Sequence, residues 1–304
     1  MHESHHKKQV FTGIGLAVLA TFIWSGNFIV ARGVIKNIPP VTLSFYRWLT
    51  ATVILLPFAW KYFFREWKLV KENFLYFFFV SLTGVSMFNT FVYIAGHYSE
   101  AINLALIGTT SSPIISVILA KIFLKERISL VRIAGMLVCI SGILLLLSKG
   151  NINNLLTFSF SRGDWWILSA AFTFSVYNTM VKKKPSAMNG INFLFVVFAT
   201  GTILLTPFYL HELNTAGGFA INLSNISVIL YLGIGASVIC FLLWNIAISK
   251  LGSGRTALFG NLIPVFSSIE AVLILGEKIT WIYYTSFALV MAGLVIANLQ
   301  KKNI

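Results

Sequence analysis

Long apolar stretches alternate with short polar joints along this chain, and the alternation recurs ten times. No charged side chain lies between Asn73 and Gly96, nor between Lys278 and Lys301. A helix needs about 20 apolar residues to cross a bilayer. Stretches of that kind fall near 11–31, 41–60, 73–95, 101–121, 130–148, 164–181, 190–210, 226–248, 255–275 and 280–299. None shows the dyad alternation of a barrel strand, and lipid offers backbone groups no partners outside a helix or a closed barrel. The pattern therefore predicts an all-α integral membrane protein of ten transmembrane helices. The first span is too long for a signal-peptide core and has no small-residue cleavage site, so it is expected to stay.

The pattern also restates itself 151 residues later. Gly84 shifts onto Gly235, Pro113 onto Pro264 and Gly142 onto Gly293. The run Glu126-Arg127-Ile128-Ser129 shifts onto Glu277-Lys278-Ile279-Thr280. A unit of five crossings, duplicated, must insert its second copy upside down. The expected organisation is a cytoplasmic tail (1–10), a first five-helix repeat (11–148), an external linker (149–163) and a second five-helix repeat (164–300). Two inverted-topology repeats that rock about a midplane site are the plan of secondary transporters, so alternating access is the expected mechanism.

Composition agrees: of 304 residues, 57% are hydrophobic and 11% charged, where a soluble domain carries about 25% charged residues. The net charge of +14 is explained by topology. With both termini inside, seventeen Lys and Arg fall in cytoplasmic positions and five outside, with Arg47 left within a span. That is the positive-inside bias of a multi-pass protein of the cytoplasmic membrane. No basic stripe exists on a soluble face, which argues against nucleic acid. Cys139 and Cys240 fall inside spans and read as small apolar residues. His2, His5 and His6 sit in the tail, where a metal site is not expected.

Candidate chemistry lies at mid-depth. Ser86, Asn89, Tyr93 and His97 share one face of the third span. Shifted by 151, that stripe becomes Ser237, Cys240, Trp244 and Ile248. Trp24 and Asn27 share a face of the first span, and Tyr177 and Asn178 occupy the related place in the sixth. Thr110 precedes Pro113, and Asn261 precedes Pro264. Each proline removes a backbone donor and frees the carbonyl four residues earlier, at Thr109 and Gly260. Freed backbone at membrane depth is tolerated where protein or a water-filled cavity satisfies it, so Pro113 and Pro264 mark a hinge or a central site. Trp24, Asn27, Asn89, Tyr93, Thr110, Tyr177, Asn178, Trp244 and Asn261 are the substrate-binding candidates. The competing reading for the Ser and Asn residues is that they glue helices together.

Arg47 and Glu270 are the two intramembrane charges. Each lies six residues inside the outer end of its span, roughly 9 Å deep. Charges there are costly unless paired or hydrated, so the two are candidates for a charge pair coupled to transport. Snorkelling of Arg47 to the headgroups is the rival reading. Glu126 and Glu277, at span ends, read as structural.

Trp24-Ser25-Gly26-Asn27, the run Ser44-Phe45-Tyr46-Arg47-Trp48 with the later Pro57, and the doubled Pro113…Lys125-Glu126-Arg127 and Pro264…Gly276-Glu277-Lys278 resemble the drug/metabolite transporter superfamily, specifically its ten-helix EamA-type members. The resemblance covers nearly the whole chain; Glu270 is outside its pattern. It implies a secondary-active transporter, commonly an exporter of amino acids or other small metabolites. A sugar or nucleoside-like permease or exchanger is the alternative, and a membrane-embedded lipid-processing enzyme the remote one. Metalloprotease, hydrolase-elbow and P-loop motifs are all missing, so no catalytic residue, metal or cofactor is expected. The expected partners are a small-molecule substrate and the lipid bilayer, with protons as the candidate coupling ion.

Overall fold

The computed structural model describes residues 2–34, 38–98, 101–126, 128–156, 161–275 and 281–298, with the side chains of 2–8, 27–34, 101–106, 109, 147, 155, 268 and 271–275 outside the description. Among the described residues ten long helical rods follow one another: α1 (His2–Val34), α2 (Pro40–Arg65), α3 (Phe74–Tyr98), α4 (Ala101–Leu124) and α5 (Leu130–Leu147) form the first set. The second set is α6 (Arg162–Lys182), α7 (Gly190–Ala216), α8 (Leu223–Leu251), α9 (253–275) and α10 (Trp281–Asn298). No strand occurs among the described residues. The protein is a multi-pass helical membrane protein. Phe58, Phe64, Phe74, Leu75, Ile203 and Phe208 are exposed on its outside, as a lipid-facing surface requires.

Two details refine the sequence reading. Helix α1 begins at His2, so the stretch expected as a tail continues the helix; it contains neither Pro nor Gly to stop it. Among the described residues, six of the rods are individually long and apolar enough to cross a bilayer. Helix α6 is not one of them, because Asp164, Thr173, Ser175, Asn178 and Thr179 are buried against other helices and lower its mean hydropathy.

The inverted relation of the two halves is visible in their contacts. Helices α2 and α7 lie side by side and antiparallel. At one end Glu212 of α7 accepts hydrogen bonds from the backbone N–H of Val41 (3.2 Å) and Thr42 (2.6 Å) and from the Thr42 hydroxyl (2.8 Å). At the other end Glu66, just past α2, accepts from Asn189 N–H (3.1 Å) and the Asn192 amide (2.8 Å). Each carboxylate thus satisfies orphan donors at the start of its neighbour and meets the positive end of that helix. Midway, Thr52 meets Thr202, its counterpart 150 residues on (3.4 Å).

Helices α5 and α10 form the second self-related pair. The Cys139 thiol donates to the carbonyl of Val290, 151 residues later (3.4 Å). A Cβ at Gly293 would sit 2.6 Å from both Cys139 N and Gly135 O, so the backbones cross at a distance only glycine allows. The remaining packing obeys the same exchange: α4 lies on α6 as α9 lies on α1, and α3 lies on α6 as α8 lies on α1.

The two copies also share an irregularity. In α3 the segment Leu82–Met87, and in α8 the segment Tyr231–Ile239, are π-helical. Shifting the first by 151 lands inside the second. A π-bulge disturbs the regular carbonyl pairing and is frequent at functional sites. Gly84 lies in the first segment against the Tyr177 ring, which leaves no room for a side chain.

Candidate functional site

Helices from both halves enclose a cavity of about 110 Å³. Trp24 of α1, Arg47 of α2, Phe88 and Asn89 of α3, Ser112 and Pro113 of α4, Phe174 of α6 and Trp244 of α8 line it, with Gly260 and Ile263 of α9. A pocket for an ordinary drug-sized ligand is about 300–1,000 Å³, so this one suits a small molecule.

Arg47 is 1% exposed and points inward. Its Nε donates to Ser237 Oγ (2.7 Å), Nη1 to Asn89 Oδ1 (2.8 Å) and Tyr93 OH (2.9 Å), and Nη2 to the Ala236 carbonyl (3.0 Å). The guanidinium carbon lies 5.0 Å from the centre of the Trp48 ring. Snorkelling is therefore overturned: four polar partners deep in the bundle hold the side chain away from the headgroups. Ala236 and Ser237 belong to the π segment of α8, so this arginine ties the first half to the second half's bulge. Trp24 shares the same anchor, its indole N–H donating to Ala236 O (2.8 Å).

Aromatic rings make the opposite wall. Trp24 lies 5.0 Å from Trp244 and 5.8 Å from Phe174 between ring centres, and Phe88 stacks on Phe174 at 4.4 Å. The Trp244 indole donates to Asn178 Oδ1 (2.8 Å), which fixes the ring.

Of the residues singled out in the sequence, Trp24, Arg47, Asn89, Pro113 and Trp244 line the cavity. Tyr93 and Asn178 stand one layer behind it, holding Arg47 and Trp244. Tyr177 is fully buried with its hydroxyl on Asn245 (2.9 Å), packed against Gly84 rather than facing the cavity. Thr110 is half-buried one turn before Pro113, and Asn261 is buried beside the lining Gly260. Pro264 is buried just after a short 3-10 turn, Phe259–Asn261, which breaks the regular ladder where the proline frees the Gly260 carbonyl. The Asn27 side chain and Glu277 lie outside the described residues. Ser86 donates to the Gly201 carbonyl (2.9 Å), as a helix-gluing serine would.

Arg47 and Glu270 do not form an ion pair in this structure. Glu270 instead accepts from the Ser25 hydroxyl (2.7 Å), with the Tyr231 hydroxyl close by over Gly26. Glu126, read as structural, accepts from Ser253 N–H at the turn into α9 (3.2 Å) and lies 4.0 Å from Arg132. The sequence reading missed the Ala236 carbonyl and Phe88. The matched Gly84 and Gly235, small residues at the bulges, were the available signal for the first.

An inverted pair of five-helix units around a small, partly polar central cavity is the architecture of a membrane transporter. The match is direct: residues 11–148 and 161–299 each fit the model of the EamA-like transporter family, and the chain belongs to that family. It is 27% identical over 294 residues to an uncharacterized transporter of Archaeoglobus fulgidus, covering 94% of this chain and 97% of that one. It is 24% identical over 288 residues to a probable amino-acid metabolite efflux pump of Escherichia coli K12, covering 92% and 93%. A solved crystal structure superposes with a TM-score of 0.76 over 96% of both chains at 16% identity, which shows the fold. The family and these relatives are transporters, not enzymes.

Proposed function

We propose that this protein is a secondary-active carrier of the cytoplasmic membrane that exports small polar metabolites, amino acids among them, by alternating access. Its two halves would rock against each other about the central cavity, with Pro113 and Pro264 as hinges and both termini in the cytoplasm. The observation that carries this reading is the cavity itself: residues of both halves line it, and it combines a buried cation with an aromatic wall. The named export activity of the Escherichia coli relative favours the outward direction. Glu270, a carboxylate at membrane depth bound to Ser25, is the proposed site of proton coupling.

Counterflow in liposomes tests the carrier reading. Vesicles preloaded with an unlabelled amino acid mixture should accumulate the labelled form transiently, and Trp24→Ala should abolish this while leaving protein in the membrane. Equal counterflow in protein-free vesicles, or chemical conversion of the solute without movement, would refute it.

A further inference from the structure

Arg47 is a cation whose partners are all neutral. Ser237, Asn89, Tyr93 and the Ala236 carbonyl satisfy hydrogen bonds but supply no negative charge. Among the described residues no carboxylate lies within ion-pair distance of it; Glu270 is taken up with Ser25. A buried charge without a counter-charge is costly, and a protein retains one where something else balances it. Four of the five guanidinium N–H groups are committed, which leaves one on Nη2.

A second donor stands next to it. Arg47 can only donate, so the atom of Asn89 that faces it must be the carbonyl oxygen, and the orientation of that amide is settled by chemistry. Its Nδ2 then points elsewhere, and that buried nitrogen has no hydrogen-bond partner in the protein. Asn89 is 3% exposed, and both residues line the cavity.

We infer that Arg47 and Asn89 together receive the carboxylate of the transported molecule, so that the substrate is a small monocarboxylate whose remainder rests on Trp24, Phe174 and Trp244. This rests on the carrier reading above and narrows it. A carboxylate is acceptor-only, matching one guanidinium and one amide N–H. Its single negative charge balances the single cation. A phosphate ester would bring an excess charge, and a neutral sugar would leave the arginine unbalanced. The limited volume excludes bulky acids in this conformation.

The test uses the purified full-length protein and thermal unfolding followed by tryptophan fluorescence. The probes are L-alanine, L-threonine and propionate, against L-alaninamide and L-threoninamide. The acids should raise the unfolding midpoint, and the amides should need at least ten-fold higher concentration for the same shift. Asn89→Asp keeps the shape and places a fixed carboxylate beside Arg47. It should raise the midpoint without ligand and lose the response to acids. Equal action of acids and amides, no response to either, or an Asn89→Asp variant that still responds to acids overturns the inference. Counterflow of labelled alanine and alaninamide in liposomes separates the two claims. Equal movement of both sinks the carboxylate site and leaves the carrier. An intact acid response with no counterflow sinks the carrier and leaves the site.

Discussion

Replacing Glu212 or Glu66 by Gln should loosen the α2–α7 pair at one end without touching the cavity. Glu212 accepts three hydrogen bonds at the start of α2, two of them from backbone N–H groups. Loss of a side-chain cap costs about 0.5–2 kcal/mol, and loss of a negative charge at a helix N-terminus about 0.3–1 kcal/mol. A glutamine also turns an NH2 toward donors, so each variant should lose about 1–3 kcal/mol. The two carboxylates sit at opposite ends of a 26-residue helix, roughly 39 Å apart at about 1.5 Å per residue. They share no partner, so the losses should add to within about 0.5 kcal/mol. Equilibrium unfolding in mixed micelles with increasing sodium dodecyl sulfate measures each loss, and a double-variant cycle measures the additivity. Counterflow per folded molecule should be unchanged, because neither carboxylate lines the cavity. Two single variants as stable as the parent, or a coupling well beyond that margin, would refute the reciprocal clamp.

Four further outcomes are expected. Single cysteines at Asn153 and Lys183, in a background with Cys139 and Cys240 replaced, should be labelled by an impermeant thiol reagent on intact cells at 153 and not at 183; the reverse would invert the topology. Gly293→Val drives side-chain atoms onto the backbone of α5 and should cost about 1–3 kcal/mol or more in the same unfolding titration; a fully stable variant would contradict the close crossing. Arg47→Leu and Glu270→Leu should each impair transport with losses that add in the double variant, since the two charges have separate partners; rescue in the double variant would reveal a pair formed in another state. Glu270→Gln should flatten the pH dependence of transport in liposomes, and an unaltered profile would remove Glu270 from proton coupling.

Much of the architecture was legible because the constraint behind it is coarse. Backbone in lipid must be helical, so hydropathy alone marks the spans, and an odd repeat forces inversion whatever the side chains do. Helix α6 was placed near 164–181 by the same apolar run, although its buried polar residues lower its mean hydropathy. Side-chain direction was harder. Tyr177 lies one residue from Asn178 and three from the lining Phe174, yet it turns away into the gap left by Gly84. Equal depth made a pair of Arg47 and Glu270 conceivable, but depth says nothing of azimuth, and the helices present the two charges to different neighbours. The π segments were invisible because they depend on which carbonyl loses its partner, not on residue type.

The repeat also explains why the cavity is polar on one side only. Shifting by 151 carries Asn89 onto Cys240 and Tyr93 onto Trp244, and the 150-residue offset of Thr52 and Thr202 carries Arg47 onto Val197. Val197 is fully buried, an apolar side chain at the position where the first half keeps its cation. A two-fold scaffold with identical linings would offer a small molecule two equivalent orientations and would bury two cations. Divergence of these three positions leaves one charge, one open amide donor and one aromatic wall. The backbone symmetry that the proposed rocking requires is kept in α5–α10 and α2–α7, where counterparts still meet. Under the proposed alternating access, the scaffold would exchange two mirrored states while the unlike side chains at the cavity hold the bound molecule in a single pose.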